Sequence, residues 1–249
     1  MRREGEALDQ LVAALPPSAW ALATPAEGWT IAHQIAHLTA TDENLLQALM
    51  DPQGFSLRAS KMAEDPSYVD KEAARAATEG STQMLARWRA GRAAILESTE
   101  GRNPRDRVPW FGPDMSLLTA LTARLMETWA HAQDVADTLA APYPVTERLK
   151  HVITLAILAR DYAFRTHGFQ PPQQLFRISL ESPDGGLWTW GPDDAQESVT
   201  GVALDFALLA VRRRHRRNSR VFPTGPLADR WLDVVQAYAG SPGTGREPA

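Results

Sequence analysis

Hydrophobic side chains recur at helical spacing along the first two thirds of the chain. The first apolar face predicts a helix that ends at Pro16 and Pro17, because proline cannot continue a helix. A second helix is predicted to begin after Thr30, which is a suitable N-cap, and to end at Pro52. The apolar positions are Leu8, Leu11, Val12 and Leu15 in the first helix and Ile31, Ile35, Leu38, Leu45, Leu46 and Leu49 in the second.

Three more segments carry the same helical signal. They span 70–98, 114–140 and 147–167, and Gly168 is a C-terminal stop for the last of them. A loop with three prolines, 101–113, separates the first two. Substantial helices joined by connections of this length predict an antiparallel four-helix bundle.

The period of the pattern changes after residue 172. Apolar and polar residues alternate over 175–181, a Pro-Asp-Gly turn signal follows, and 187–190 forms the returning strand of a predicted β-hairpin. Two further helices are predicted over 201–217 and 227–239.

These elements predict a mainly α protein with two domains. A helical bundle over 1–168 is followed by a small α+β domain over 174–240, and the Gly- and Pro-rich tail 241–249 is expected to be disordered. A unit as small as the second one is only marginally stable alone.

Composition narrows the possible functions. The chain has 249 residues, a formal net charge of −4 and no cysteine, which excludes disulfides, cysteine-ligated metals and cysteine nucleophiles. Net negative charge argues against nucleic-acid binding. Since no run of about 20 apolar residues is present and the N-terminus is polar, we expect a cytoplasmic protein without a membrane partner.

Two predicted helices carry residues suited to a metal site. Glu127 and His131 lie four residues apart and therefore share one helix face. On the second helix, His37 lies between apolar positions and is expected to point inward. Two histidines, one glutamate and an open position are typical of catalytic zinc. A solvated Glu–His pair and a core histidine bound to a backbone carbonyl are the alternatives.

Two motifs resemble a known family. The segment Glu-Gly-Trp-Thr-Ile-Ala-His-Gln-Ile-Ala-His-Leu, 27–38, and the Glu-x-x-x-His-x-x-Asp segment, 127–134, resemble the DinB-like superfamily. The similarity is greatest to the N-terminal domain of mycothiol-dependent maleylpyruvate isomerases. It implies a DinB-like bundle in which His37, Glu127 and His131 hold a divalent metal, which we expect to be Zn²⁺. It also implies a low-molecular-weight thiol as cosubstrate. His33 departs from the motif, since the superfamily often has a non-ligand residue at that position. We expect it not to be a ligand, because a fourth protein ligand would close the site to substrate; an unusual fourth ligand is the alternative.

Other residues are candidates for contacting the cosubstrate or substrate. Arg124, one turn before Glu127, is predicted to pair with that glutamate or with a substrate carboxylate. Trp110 is predicted to line the mouth of the pocket. The family resemblance implies a catalytic arginine from the C-terminal domain, for which Arg214 or Arg213 is our candidate. The run 212–217 is alternatively a solvated helix end or a phosphate-binding patch.

The leading hypothesis is a metal-dependent enzyme that uses a mycothiol-like thiol. It would be an S-transferase or a cis–trans isomerase acting on a small, electrophilic, acidic substrate, as a monomer or homodimer. One alternative is a metal-dependent hydrolase without a thiol. Another is a non-enzymatic protein that binds a small ligand.

Overall fold

The computed structural model describes residues 1–62, 64–65, 67–111, 114–240, 243 and 245–248. The chain divides into two compact units, Met1–Tyr143 and Pro144–Ala249. Both are rich in helix, and a small sheet lies in the second, so the mainly α fold class with a sheet-containing C-terminal region is confirmed. Across the described ranges, no helix combines the length and apolar character needed to cross a bilayer.

The first unit is built around a four-helix bundle. Its elements are α1 (Arg2–Val12), a 3₁₀ turn (Pro17–Ala21), α2 (Ile31–Met50), α3 (Pro52–Met62), α4 (Tyr68–Ala76), α5 (Ser81–Thr99), β1 (Arg107–Val108), β2 (Met115–Ser116) and α6 (Leu117–Thr138). Helices α1, α2, α5 and α6 form the bundle, and α3 and α4 pack against α2. Strands β1 and β2 pair antiparallel just before α6.

Two apolar clusters lie along α2. One surrounds its first half, where Ile31 and Ile35 pack with Trp88 of α5. The other surrounds its second half, where Leu45 packs with Phe55 of α3. Burial of the apolar face of α2 on both sides provides the main driving force for the bundle, and it leaves the middle of the helix for polar residues.

The helices predicted from the sequence for α2 and α6 are present. The prediction for residues 52–98, which lie between them in sequence, needs two corrections. Helix α3 was not predicted, because Pro52 opens a helix here instead of ending one. Proline suits a first helical position, and the Asp51 carboxylate accepts a hydrogen bond from the Gly54 N–H at 3.0 Å. The single helix predicted over 70–98 is two helices, α4 and α5, and Gly80 is the N-cap of the second.

The second unit combines four helices with a four-stranded sheet among its described residues. Its elements are α7 (Leu149–Leu158), α8 (Arg160–Thr166), β3 (Phe176–Glu181), β4 (Leu187–Trp190), β5 (Glu197–Val202), α9 (Ala203–Ala210), a 3₁₀ turn (Arg216–Asn218), β6 (Val221–Thr224) and α10 (Pro226–Val234). The strand order is β4-β3-β5-β6. Strands β3 and β5 are parallel and the other neighbours are antiparallel.

The division between the units lies earlier than the sequence suggested. Residues 144–168, which we assigned to the bundle, belong to the second unit because α7 packs against α9 and α8 against α10. The helix predicted over 147–167 is the pair α7 and α8, and Gly168 ends it with a φ of 78°. The β3–β4 hairpin is present, whereas β5 and β6 were not predicted. Of the predicted disordered tail, 241–249, residues 241, 242, 244 and 249 lie outside the described residues.

The arginine run does not continue a helix. Helix α9 ends at Ala210, seven residues before the predicted end, because Arg212 adopts a left-handed conformation with φ 61°. The N–H groups of Arg212 and Arg213 bond back to the carbonyls of Leu209 and Leu208, which is the Schellman pattern of a helix end. The run therefore lies on the turn after α9.

Candidate metal centre

The start of α2 determines where its histidines lie. Thr30 is the N-cap, and the ring Nδ1 of His33 accepts from the Thr30 backbone N–H at 3.2 Å and lies 2.7 Å from its hydroxyl. This is a capping box in which a histidine takes the place usually held by glutamate or glutamine. His33 thus has a structural partner at the helix start, and His37 lies one turn further along the helix.

Three side chains from two helices meet in the interior of the first unit. His37 comes from α2, and Glu127 and His131 come from α6. The Glu127 Oε2 lies 3.5 Å from His37 Nε2 and 3.3 Å from His131 Nε2. One ligand atom from each residue lies within 4.8 Å of the others. The structure therefore brings together the three residues proposed as ligands.

The spacing of these atoms suits a divalent metal. Tetrahedral zinc with bonds of about 2.0–2.1 Å places its ligand atoms about 3.3–3.4 Å apart. The two distances to Glu127 Oε2 match that spacing within 0.2 Å. Two imidazoles and one carboxylate leave a fourth tetrahedral position for a non-protein ligand. The donor types, and the spacing of both histidines from Glu127, are those of a Zn²⁺ site.

A chain of hydrogen bonds orients His131. The Gln34 side-chain oxygen contacts His131 Nδ1, and the Gln34 amide nitrogen donates to the Thr24 hydroxyl at 2.8 Å. That hydroxyl in turn donates to the Trp29 carbonyl at 2.9 Å. Because the amide oxygen can only accept, Nδ1 of His131 is the donor in this contact, which leaves Nε2 of the ring facing Glu127.

The charge state of Glu127 favours cation binding. Burial would raise the pKa of its carboxyl, but hydrogen bonds from His131 and His37 outweigh burial and hold that pKa well below its usual value. The carboxylate is therefore ionised at neutral pH. The side chains of Glu127 and His37 keep 23% and 14% of their surface exposed, so a small ligand has access to them.

Trp29 forms an aromatic wall beside the centre. Its ring lies nearly parallel to that of His131, with centroids 5.9 Å apart, and tilted over that of His37 at 5.4 Å. The indole N–H donates to Asp70 Oδ1 of α4 at 3.0 Å. The wall is therefore attached both to the loop before α2 and to α4.

Arg124 has a different partner from the one predicted. Its Nε donates to Asp42 Oδ1 of α2 at 2.9 Å, and both side chains are almost completely buried. The expected pairing with Glu127 is thus replaced by an ion pair with Asp42. Burial raises the pKa of the Asp42 carboxyl, and the Arg124 guanidinium opposes that rise. A role of Arg124 toward a cosubstrate stays a prediction.

The other predicted contact residues have partners within their own units. Trp110 stacks on Phe55 at 5.7 Å and meets Phe111 edge-on at 5.1 Å, in the cluster around the second half of α2. Arg213 and Arg214 belong to the second unit, where Arg214 pairs with Asp205 and Arg213 donates to the Val211 carbonyl at 2.8 Å. Their roles in binding stay predictions.

Sequence reasoning missed Gln34, Asp42 and Trp29 as parts of the site. Gln34 and Asp42 are polar positions on the buried face of α2, where a polar side chain needs a partner. That signal was available in the sequence. Trp29 precedes the N-cap, and its contact with the histidines depends on the path of the loop.

Comparison with known proteins places this arrangement in context. A family model described as the mycothiol maleylpyruvate isomerase N-terminal domain matches residues 1–136. Uncharacterised proteins from two strains of Mycobacterium tuberculosis, CDC 1551 / Oshkosh and H37Rv, are 44% identical over 247 residues. The match covers 99% of this chain and 96% of each relative.

Solved structures show the same fold. The crystal structure of a mycothiol-dependent maleylpyruvate isomerase has a TM-score of 0.59 and 16% identity, covering 89% of each chain. A histidine mutant of the isomerase has the same TM-score and identity, covering 90% of this chain and 92% of that one. At this identity the likeness concerns the fold.

Proposed function

Because this chain belongs to the mycothiol maleylpyruvate isomerase N-terminal domain family, we propose that it is a metal-dependent enzyme with a low-molecular-weight thiol as cosubstrate. Mycothiol is the thiol that the family name suggests. The reaction is a cis–trans isomerisation or an S-transfer on a small, electrophilic, acidic substrate. Family membership supports the thiol and the isomerase chemistry.

The observation that carries the proposal is the convergence of His37, Glu127 and His131, in which both histidine Nε2 atoms lie near tetrahedral zinc spacing from Glu127 Oε2. A bound divalent ion would supply the positive charge that converts a thiol into a thiolate at neutral pH. The chain has no cysteine. The sulfur must therefore come from the cosubstrate.

The residues of the chain have separable roles in this proposal. Gln34 holds the tautomer of His131, and the ionised Glu127 balances the charge of the cation. Trp29 restricts the direction from which a thiol or substrate approaches. Arg214 or Arg213 would hold a substrate carboxylate.

The proposed reaction leaves the atoms of an isomerised substrate unchanged. The thiolate adds to one carbon of the double bond, and the electron pair moves onto the adjacent activated system. Rotation about the new single bond and expulsion of the same thiolate then give the trans isomer. In an S-transfer, the adduct takes up a proton and leaves as the conjugate.

Metal analysis combined with a thiol-dependence assay tests the proposal. Untagged protein is expected to contain about one equivalent of zinc and to isomerise maleylpyruvate only when mycothiol is added. The His37→Ala variant, purified in the same way, is the matched control and should lack both properties. Absence of metal from the wild-type protein, or turnover independent of thiol, would contradict the proposal, and a hydrolysis product formed without thiol would favour a hydrolase.

A further inference from the structure

Three polar contacts connect α2 and α6 in sequence. Gln34 meets His131, His37 meets Glu127, and Asp42 meets Arg124. As the positions advance along α2, their partners recede along α6, so the contacts follow one another between two antiparallel helices. The proposed metal ligands occupy the middle of this series, with a buried polar contact on each side.

The Asp42–Arg124 pair lies where solvent has almost no access. The side chains are 1% and 2% exposed, so both charges have lost their hydration. Such pairs contribute little net stability, because desolvation offsets the attraction, and apolar residues often replace them without loss. Their best-attested use is to specify one register between helices. The energetics therefore favour a positional role over a stabilising one.

Register matters at this place because the ligands come from both helices. Sliding α6 by one turn would move Glu127 and His131 by about 5.4 Å relative to His37. Glu127 lies one turn from Arg124 on α6, and His37 lies five residues before Asp42 on α2. The hydrogen bond between Asp42 and Arg124 is therefore close to His37 on α2 and to Glu127 and His131 on α6.

We infer that Asp42 and Arg124 are positioning residues that hold α2 and α6 in the register required for metal binding by His37, Glu127 and His131. This inference rests on the proposed metal centre. The pair acts through the ligands, since both side chains are closed off from solvent.

The double variant D42L/R124M tests the inference. It replaces both members of the ion pair with apolar residues, so neither Asp42 nor Arg124 is left buried without the other. We expect the urea midpoint to stay near the wild-type value while Zn²⁺ affinity, measured by competition with a chromophoric chelator, falls about tenfold to a hundredfold, the scale of lost ligand support. The Co²⁺ absorption bands should weaken or shift. Unchanged Zn²⁺ affinity and Co²⁺ bands in the folded variant would overturn the inference.

Two further variants complete the design. D42N/R124Q keeps a directional polar contact without charge and should restore Zn²⁺ affinity to within about threefold of wild type. D9L/R89M removes the pair between α1 and α5, joined at 2.7 Å, and should leave Zn²⁺ affinity unchanged. A loss of affinity in this control equal to that in D42L/R124M would overturn the specific role of the buried pair.

The outcomes also separate this inference from the proposed function. If the wild-type protein binds no Zn²⁺ or Co²⁺, the metal centre fails, and the inference fails with it. If the wild type binds and D42L/R124M binds equally well, the inference alone fails.

Should D42L/R124M not fold, Arg124→Lys carries the test, because it keeps the charge but lacks the Nε that meets Asp42. Affinity at least about threefold weaker supports the inference, and wild-type affinity overturns it.

Discussion

The two units each bury an aspartate against an arginine, and the pairs differ in what surrounds them. In the first unit, both Asp42 and Arg124 are closed off from solvent. In the second, Asp205 is equally buried, but 32% of the Arg214 side chain is exposed. Asp205 also accepts from the Arg220 backbone N–H at 2.8 Å.

The difference separates two uses of the same chemistry. Asp205 fixes the irregular segment after α9 to the start of that helix, and its partners keep contact with water. Asp42 joins two long helices beside the proposed ligands. We therefore expect changes in the second unit to affect stability and changes between α2 and α6 to affect metal binding.

The largest expected effect is on metal binding. His37→Ala leaves two of three protein ligands, and Zn²⁺ affinity should fall by about a thousandfold or more, equivalent to about 4 kcal/mol. Isothermal titration or chelator competition measures the change. His167→Ala is the matched control, because this histidine belongs to the second unit and contacts Arg212 at 3.0 Å. Equal losses of Zn²⁺ affinity in His37→Ala and His167→Ala would contradict the expectation that only changes in the first unit affect metal binding.

A smaller effect is expected on stability. Asp205→Ala removes the acceptor for Arg214 and for the Arg220 backbone N–H, and we expect a loss of about 2 kcal/mol in the free energy of unfolding. Urea denaturation measures it, and Zn²⁺ affinity should not change. Asp193→Ala, at the 89%-exposed end of the Arg177 pair, should cost under about 0.5 kcal/mol. A fall in Zn²⁺ affinity caused by Asp205→Ala would contradict the comparison.

The smallest effect concerns the other histidine of α2. His33→Ala removes half of the capping box and should cost about 1 kcal/mol of stability. Zn²⁺ affinity should remain within about threefold of wild type, since His33 is bound to Thr30. Thermal unfolding and chelator competition on one preparation measure both quantities. An affinity loss comparable with that of His37→Ala would show that His33 is a ligand.

Local signals in the sequence were enough to predict the elements that carry the site. The apolar spacing of α2 and the Glu127–His131 spacing depend on neighbours within one helix, and the resemblance connected them to His37. The boundary near Tyr143 could not be predicted in this way, because it depends on α7 packing against α9. Strands β5 and β6 were missed for a related reason, since both take their hydrogen bonds from partners distant in sequence.

The ion-pair partners of charged residues also could not be predicted from the spacing of residues within one helix. Arg124 has Glu127 one turn away on its own helix, yet it pairs with Asp42, 82 positions distant. The choice follows from which groups face the closed space between two helices. A spacing rule within α6 carries no information about that space.

The position of Trp29 has an optical consequence. Its indole stacks on one imidazole of the proposed centre and tilts over another, at centroid distances below 6 Å. Paramagnetic Co²⁺ bound between those imidazoles would lie close enough to quench its emission, while diamagnetic Zn²⁺ would displace Co²⁺ and restore it. The chain has eight tryptophans, so the difference spectrum between wild type and Trp29→Phe isolates this signal. The protein thus contains its own fluorophore for titrating metals and thiols at this site.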